Sequence, residues 1–365
     1  MQVAFVDLKR QYETIKNDID KAIQNTIATT NFVLGEEPHP FEINFAKYCG
    51  KKYCVGVGSG TAALELALRA YNITSGEVIT TPSTFFSGAS VINMVGAEPV
   101  FVDVEKESNN IDPKKIEAAI TKKTKAIIVT HLYGRPADMD PILNIAQKHN
   151  LIIIEDAAQA HGTQYKGKIV PYGETGCFSF YPGKILGAYG DGGAVVTDNK
   201  EVAERVKSLR NFGGSFKQYT HKEIAGNHRL HGLQATILDA KLKHLPAWVK
   251  LRQQHAARYT KLLQGIVKTP ELPSYGEHSF YVYVIETEQR DALVEYLKQH
   301  NIPTRIHYPT PIHLQPAYAY KKLKEGSFPI AEWKAKRILA IPLFPELKKE
   351  EQDYIVEHIK KFFKQ

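Results

Sequence analysis

From about Lys52 onward, short apolar runs alternate with amphipathic stretches: KYCVGV with TAALELALRAY, EVITT with FSGASVINMV, EPVFVDV with PKKIEAAI, KAIIVTHLYG with MDPILNIAQKHN, and then LIIIED. Such alternation predicts βαβ units joined by right-handed crossovers in a mostly parallel sheet. The run from Leu151 to Ile154 is apolar without a polar alternate, as a strand covered on both faces should be. CFSFY and GAVVT follow with short connections, so part of the sheet is expected to be antiparallel. Helical patterning resumes at EVAERVKSLRNF. It continues through LQATILDAKLKHL and, past Pro246, through WVKLRQQHAARYTKLLQGI, a signal suited to linking two domains. Beyond it, HSFYVYVIE reads as a strand, DALVEYLKQHN as a helix, TRIHY as another strand and the remainder as helix. The expected organisation is an α/β domain over residues 1–249 and a smaller α+β domain over residues 250–365, with no internal repeat.

Candidate chemistry begins where LIIIED ends. Asp156 should emerge at the carboxyl end of its strand, where open α/β sheets place ligands, and Lys184 follows in FSFYPGKILGAYGDGG. Lys184 sits among glycines and aromatics instead of other charges, which suits an amine that must be partly desolvated to become a nucleophile. A Schiff-base lysine and an anionic partner for a pyridinium nitrogen are what a pyridoxal phosphate enzyme needs. Each residue alone has a plainer reading, the aspartate as a helix cap or ion-pair partner and the lysine as a solvated side chain.

GSGTAALEL shifts that balance. Gly58, Ser59, Gly60 and Thr61 lie between a strand ending at Val57 and a helix, where backbone amides bind a phosphate dianion and the threonine hydroxyl adds a donor. The turn has neither the lysine of a Walker A loop nor GxGxxG spacing, and by itself it equally describes a capped strand-helix turn. Phe85 in TPSTFFSGA is placed to cover one face of a flat ring, or to pack as core. In DAAQAHG, Gln159 is placed to donate to a phenolic oxygen, while His161 serves equally as a structural histidine. Ser179, five residues before Lys184, is near enough to reach the same phosphate.

The chain has 365 residues and a formal net charge of +8, with lysines spread along it and collected only near the end, in KKLKEG and KKEEQDYIVEHIKKFFKQ. The tail reads as a solvated amphipathic helix. Without a helix-turn-helix pattern or interleaved basic and aromatic motifs, an anionic metabolite suits the positive charge better than nucleic acid. Cys49, Cys54 and Cys177 are odd in number and lack paired CxxC spacing, so neither a disulfide framework nor a zinc site is expected. His228 and His231 have no accompanying ligand set, and no metal is expected there. The start, MQVAFVDLKRQYE, lacks a cleavage site, and no segment reaches the ~18 apolar residues of a membrane span. A cytoplasmic protein with no membrane partner is the expectation.

Taken together, GSGTAALELAL, TPSTFF, HLYGRPADMD, EDAAQAHG, FSFYPGKILGAYGDGG, NHRLHGLQA, TRIHYPTPIHLQPAY and AIPLFPEL resemble the DegT/DnrJ/EryC1/StrS sugar aminotransferases over nearly the whole chain. The resemblance implies a fold-type I, aspartate aminotransferase-like large domain and a pyridoxal 5'-phosphate cofactor that cycles through its aminated form. It implies that Lys184 bonds the cofactor, Asp156 partners the pyridinium, Gln159 stands beside the ring hydroxyl, Gly60, Thr61 and Ser179 form the phosphate cup, and Phe85 stacks. Asn227 matches an asparagine that reaches the phosphate of the neighbouring subunit, which implies a homodimer with shared active sites. Tyr181, Arg229, His307 and Tyr308 fall in stretches that similar enzymes use near the sugar nucleotide.

The chain departs from the family pattern at Ala225 and Gly226 before Asn227, at His231, at Ile185 after the lysine and at Arg135, which puts substrate contacts in doubt and leaves the cofactor chemistry intact. The implied reaction passes an amino group from glutamate to a nucleotide-linked keto sugar, giving an amino sugar for glycan or lipopolysaccharide assembly. HYPTPIHLQPAY and HGLQA look most like enzymes that aminate C3 of a dTDP-3-keto-6-deoxyhexose. The alternatives are C4 amination of a 4-keto-6-deoxy sugar, a dehydratase, against which Lys184 argues because such relatives carry histidine there, and a non-catalytic sugar-nucleotide sensor.

Overall fold

The computed structural model describes residues 1–34, 39–215 and 219–364. Its centre is a seven-stranded sheet in the order Tyr53–Val57, Gly193–Thr197, Thr175–Ser179, Ile152–Asp156, Thr124–Thr130, Glu77–Thr80 and Glu98–Phe101. The strands from Thr175–Ser179 to Glu98–Phe101 run parallel. Gly193–Thr197 is antiparallel to both its neighbours, and residues 180–192, which lead into it, form no crossover helix.

Burial on both faces explains why these strands carry no polar alternate. Ile127, Val129 and Ile153 join Phe41, Phe45, Met139 and Leu238 in one layer. Ala126, Ile128 and Ile154, their immediate neighbours in sequence, join Leu66, Val91 and Val206 in the other. Helices Pro40–Tyr48, Met139–His149 and Gly232–Leu242 cover the first face, and Gly60–Ala70, Ser87–Met94 and Lys200–Leu209 cover the second. Because parallel strands end on one edge, Thr130 and Asp156, paired in register, finish side by side, and the loops that follow them converge there.

A separate core unites Ala256, Tyr259 and Leu263 with Tyr283, Ile285, Leu293, Leu339, Ile341 and Ile355. Helix Leu245–Leu263 reaches both bodies, since Val249, nearer its start, packs in the sheet layer. Val3, from the far end of the chain, joins the second core. The tail forms helix Lys349–Lys364, with Ile355, Val356 and Ile359 inward.

Three expectations for this region need correction. The strand in HSFYVYVIE is only Tyr283–Glu286, because His278 Nδ1 accepts the Phe280 amide at 2.9 Å and Phe280 takes φ 52°, turning the chain before it extends. TRIHY forms a single bridge, Arg305 to Ala340, instead of a strand. Within the stretch expected to be helical, Ile338–Ile341 is the antiparallel partner of Tyr283–Glu286; four buried apolar residues do not distinguish a strand from a helical turn by pattern alone. Two helices also precede the sheet: Leu8–Thr29, capped by Asp7, and Pro40–Tyr48, closed by a His39–Glu42 capping box.

Candidate active site

The loops at the carboxyl edge surround a cleft of about 1060 Å³, open to solvent. Ser59 caps helix Gly60–Ala70, its Oγ accepting the Ala62 amide at 3.0 Å. First-turn amides have no partner within a helix, and Gly60 and Thr61 present theirs at the cleft beside the Ser179 side chain. Glycine is obligatory at 60, since a Cβ there would lie 2.6 Å from Ser179 Cβ. Amides of a helix start flanked by serine and threonine hydroxyls are a donor set suited to a phosphate dianion.

Asp156 is 4% exposed, and its Oδ1 accepts the Ala158 amide at 3.1 Å. Burial raises its pKa, opposed by that amide and by the charges of Lys184 and His131. His131 stands behind it, fully buried. Its Nδ1 accepts the Ala137 amide at 3.0 Å, which places the proton on Nε2, 2.8 Å from Glu155 Oε2. Glu155 also accepts the Tyr172 and Gly173 amides, so neighbouring strand ends are tied together beneath Asp156.

Lys184 projects from a tight turn closed by its own amide donating to Tyr181 O at 2.8 Å. A Cβ at Gly187 would meet Pro182 O at 2.3 Å, so that turn closes only around glycine. Desolvation brings the Lys184 amine down to about 8, with the Asp156 charge opposing. Near neutral pH it is therefore poised to exist as the free base as well as the ammonium.

Gln159 joins two parts of the cleft: its Oε1 accepts the Tyr133 amide at 2.8 Å and its Nε2 donates to the Tyr308 hydroxyl at 3.1 Å. The Tyr133 hydroxyl donates to the His307 carbonyl. Phe85 is 53% exposed, with its ring 5.8 Å from that of Tyr308.

Gly60, Thr61, Phe85, Asp156, Gln159, Ser179, Tyr181, Lys184, His307 and Tyr308 all line this one cleft. Asn227 and Arg229 do not. Asn227 is exposed and bridged to Asn211, while Arg229 bridges to Val57 and donates to Asn211 Oδ1 at 3.2 Å. His161 is buried against the rings of Phe178 and Phe180, and desolvation brings its pKa to about 3, so it packs as a neutral ring. Sequence reading passed over Thr130, Asp191 and Tyr281. HSFYVYVIE reads as a strand throughout, whereas the chain turns at Phe280 and Tyr281 lines the cleft. All three cysteines are buried and free. Among the described residues no three His, Cys, Asp or Glu side chains are grouped to hold a metal, and no helix is long and apolar enough to cross a membrane.

A lysine of lowered basicity, a strand-end carboxylate and a helix-start turn whose donors suit a phosphate, all at one edge of an α/β sheet, are the parts a pyridoxal phosphate enzyme needs. Residues 13–360 match the DegT/DnrJ/EryC1/StrS aminotransferase family, and the chain belongs to it. It is 44% identical over 370 residues to the pleiotropic regulatory protein of Geobacillus stearothermophilus, covering 100% of this chain and 99% of that one. It is 41% identical over 363 residues to the dTDP-3-amino-3,6-dideoxy-alpha-D-galactopyranose transaminase of Aneurinibacillus thermoaerophilus, covering 99% of each. The crystal structure of DesV from S. venezuelae, in complex with a ketimine intermediate, matches with a TM-score of 0.97 at 40% identity, over 100% of this chain and 99% of that one. The chain is a pyridoxal phosphate-dependent aminotransferase of the sugar-modifying kind.

Proposed function

We propose that this enzyme transfers the amino group of L-glutamate to C3 of a dTDP-linked 3-keto-6-deoxyhexose, acting in the cytoplasm as a homodimer with shared active sites. The observation that carries the chemistry is the convergence of Lys184, Asp156 and the Gly60–Thr61 turn on one cleft. The substrate rests on the Aneurinibacillus relative, named for a dTDP-linked 3-amino sugar.

Bound pyridoxal phosphate supplies the electron sink for charge developing at the donor's α-carbon and carries the amino group between substrates. The Gly60 and Thr61 amides, with the Thr61 and Ser179 hydroxyls, hold its phosphate. Asp156, anchored by the Ala158 amide, keeps the pyridine nitrogen protonated. Phe85 covers a ring face, and Gln159 stands beside the ring hydroxyl. Lys184, as the neutral amine, would take the donor's α-proton and deliver it to the cofactor's C4′. Tyr181, His307 and Tyr308 line the cleft and serve the sugar nucleotide, whereas Arg229, outside its own cleft, can reach a sugar nucleotide only in a second copy. Burial and the Lys184 charge lower His307 to about 4, so it meets sugar hydroxyls as a neutral ring. Asn227, exposed and outside its own cleft, is available to the cofactor phosphate of a second copy.

The test is the structure of the product formed from glutamate and a panel of nucleotide-linked keto sugars. Amination at C3 of a dTDP-linked 3-keto sugar is expected, and turnover of only a 4-keto sugar overturns the regiochemistry. Lys184→Ala should lose conversion of glutamate to its oxo acid; full retention overturns the mechanism.

A further inference from the structure

Lys184 Nζ lies 4.4 Å from the centroid of the Tyr281 ring, and among the described residues no hydrogen bond holds this amine. The Tyr281 backbone is fixed from two directions. The Tyr281 amide donates to Tyr133 O at 2.9 Å, and its carbonyl accepts from Arg252 Nη1 at 3.2 Å. Arg252, 3% exposed on the linking helix, also holds the carbonyls of Phe280 and Leu343, so it serves as a backbone clamp instead of an ion-pair partner. Tyr133 is in turn held through its amide by Gln159. Lysine can swing on its long stem, whereas Tyr281 is anchored on both sides of its Cα.

We propose that the face of the Tyr281 ring seats the Lys184 amine whenever that amine is not bonded to the cofactor, and that it selectively holds the protonated form during proton transfer. The inference rests on Lys184 being the proton carrier proposed above. In that transfer the donor's α-C–H bond breaks, its proton forms a new N–H bond on neutral Lys184, and the electron pair passes to the cofactor. The N–H bond then breaks as the proton moves to C4′ and the amine is again neutral.

An aromatic face attracts an ammonium through its quadrupole and has no such attraction for the amine. It therefore matches a charge that exists only between the two transfers, and it does so without a carboxylate that would pin the lysine. The other titratable groups facing Lys184 are Asp156, His161, Tyr181, Asp191, His307 and Tyr308. Of these, Asp156 also favours the ammonium.

The test compares Tyr281→Phe and Tyr281→Leu holoenzymes by exchange of the glutamate α-proton with deuterated water across pH, alongside the donor KM. Cofactor loading is checked by absorbance and by the mass left on Lys184 after borohydride reduction. Tyr281→Phe, which keeps the ring face, should exchange within ~2-fold of the parent, and Tyr281→Leu should slow exchange ~10-fold with the donor KM within ~2-fold. In the leucine variant the limb set by the free amine should also move to lower pH, because the ammonium has lost its stabiliser. Equal losses in both variants would assign the role to the hydroxyl and overturn the proposal, as would an unchanged rate and profile in Tyr281→Leu. Normal exchange by Lys184→Ala would instead remove the proton-carrier assignment on which it rests.

Discussion

Arg210 Nη1 stands 2.6 Å from Glu42 Oε1, and the two side chains are 3% and 4% exposed. The same carboxylate oxygen accepts the Gly56 amide at 2.7 Å, and the same guanidinium nitrogen donates to the Gly56 carbonyl at 2.7 Å. A helix of the outer layer, the first strand and the residue ending Lys200–Leu209 are thus joined at one glycine, just before the turn that presents Gly60 and Thr61. The Arg210 carbonyl accepts the His228 amide at 2.9 Å, which extends the joint to the stretch carrying Asn227.

Glu42→Ala tests the joint. It removes a buried carboxylate oxygen that accepts both the Arg210 guanidinium and the Gly56 amide, so the Gly56 N–H and one ion-pair contact lose their acceptor inside the protein, and a loss of about 3 kcal/mol is expected. Denaturant unfolding at one fixed protein concentration measures it, since assembly makes stability concentration-dependent. A change below about 1 kcal/mol would mean that the Glu42 carboxylate does not hold this joint together.

Lys241 has the opposite character, a buried cation with a carbonyl for a partner. Its Nζ donates to Gly187 O at 2.7 Å and lies 4.3 Å from the centroid of Tyr189, behind the turn that carries Lys184. Burial lowers its pKa from 10.5 to about 8. The unfolded chain therefore holds this proton more tightly than the folded one. The group opposes folding fully below about pH 8, and that opposition fades as pH rises towards 10.5. Relative to Lys241→Met, the parent should gain up to about 3 kcal/mol of stability across that window. Unfolding free energies of both proteins between pH 7 and ~10.5 decide it, and a parent-minus-variant difference that is flat with pH would refute it.

The sheet and the Lys184–Asp156 pair were legible because their signals are local. LIIIED shows a covered strand by its length and lack of alternation, and GSGT announces a turn by composition. What escaped depends on distant partners. Helix Leu8–Thr29 buries only Gln11, Ile15, Ile19 and Thr26, too sparse an apolar stripe to stand out. Ile338–Ile341 becomes a strand because Tyr283–Glu286 offers it an edge. Nothing local marks Arg252, Lys241 or Tyr281, since their partners are backbone carbonyls or a lysine far away in sequence. No composition rule marks a side chain that will hold a carbonyl.

The three thiols give a measure of global opening. Cys49, Cys54 and Cys177 are buried in the layers on either side of the sheet, and burial pushes each thiol pKa up, away from the reactive thiolate. A bulky disulfide reagent should therefore label native protein at least ~100-fold more slowly than unfolded protein, with all three sites reacting together. Fast labelling of one thiol under native conditions would reveal local opening of its layer.

Gly60→Ala probes the turn proposed to hold the phosphate, and it changes no side chain given a role in proton transfer. A Cβ at 60 would meet Ser179 at 2.6 Å from Cβ and 3.1 Å from Cα, and on the other side a Cβ at Gly193 would lie 2.3 Å from Ser59 O. The turn is wedged between two strand ends, and the added methyl must push the Ser179 strand away or lift the helix start. Either movement separates the Thr61 and Ser179 hydroxyls that are proposed to share one phosphate. Affinity for pyridoxal phosphate should fall ~10-fold or more, equivalent to about 1.4 kcal/mol, while overall unfolding changes far less. Titration of apoenzyme with the cofactor, followed by absorbance, gives the Kd directly. An unchanged value would place the phosphate elsewhere in the cleft and detach the Gly60–Thr61 turn from cofactor binding.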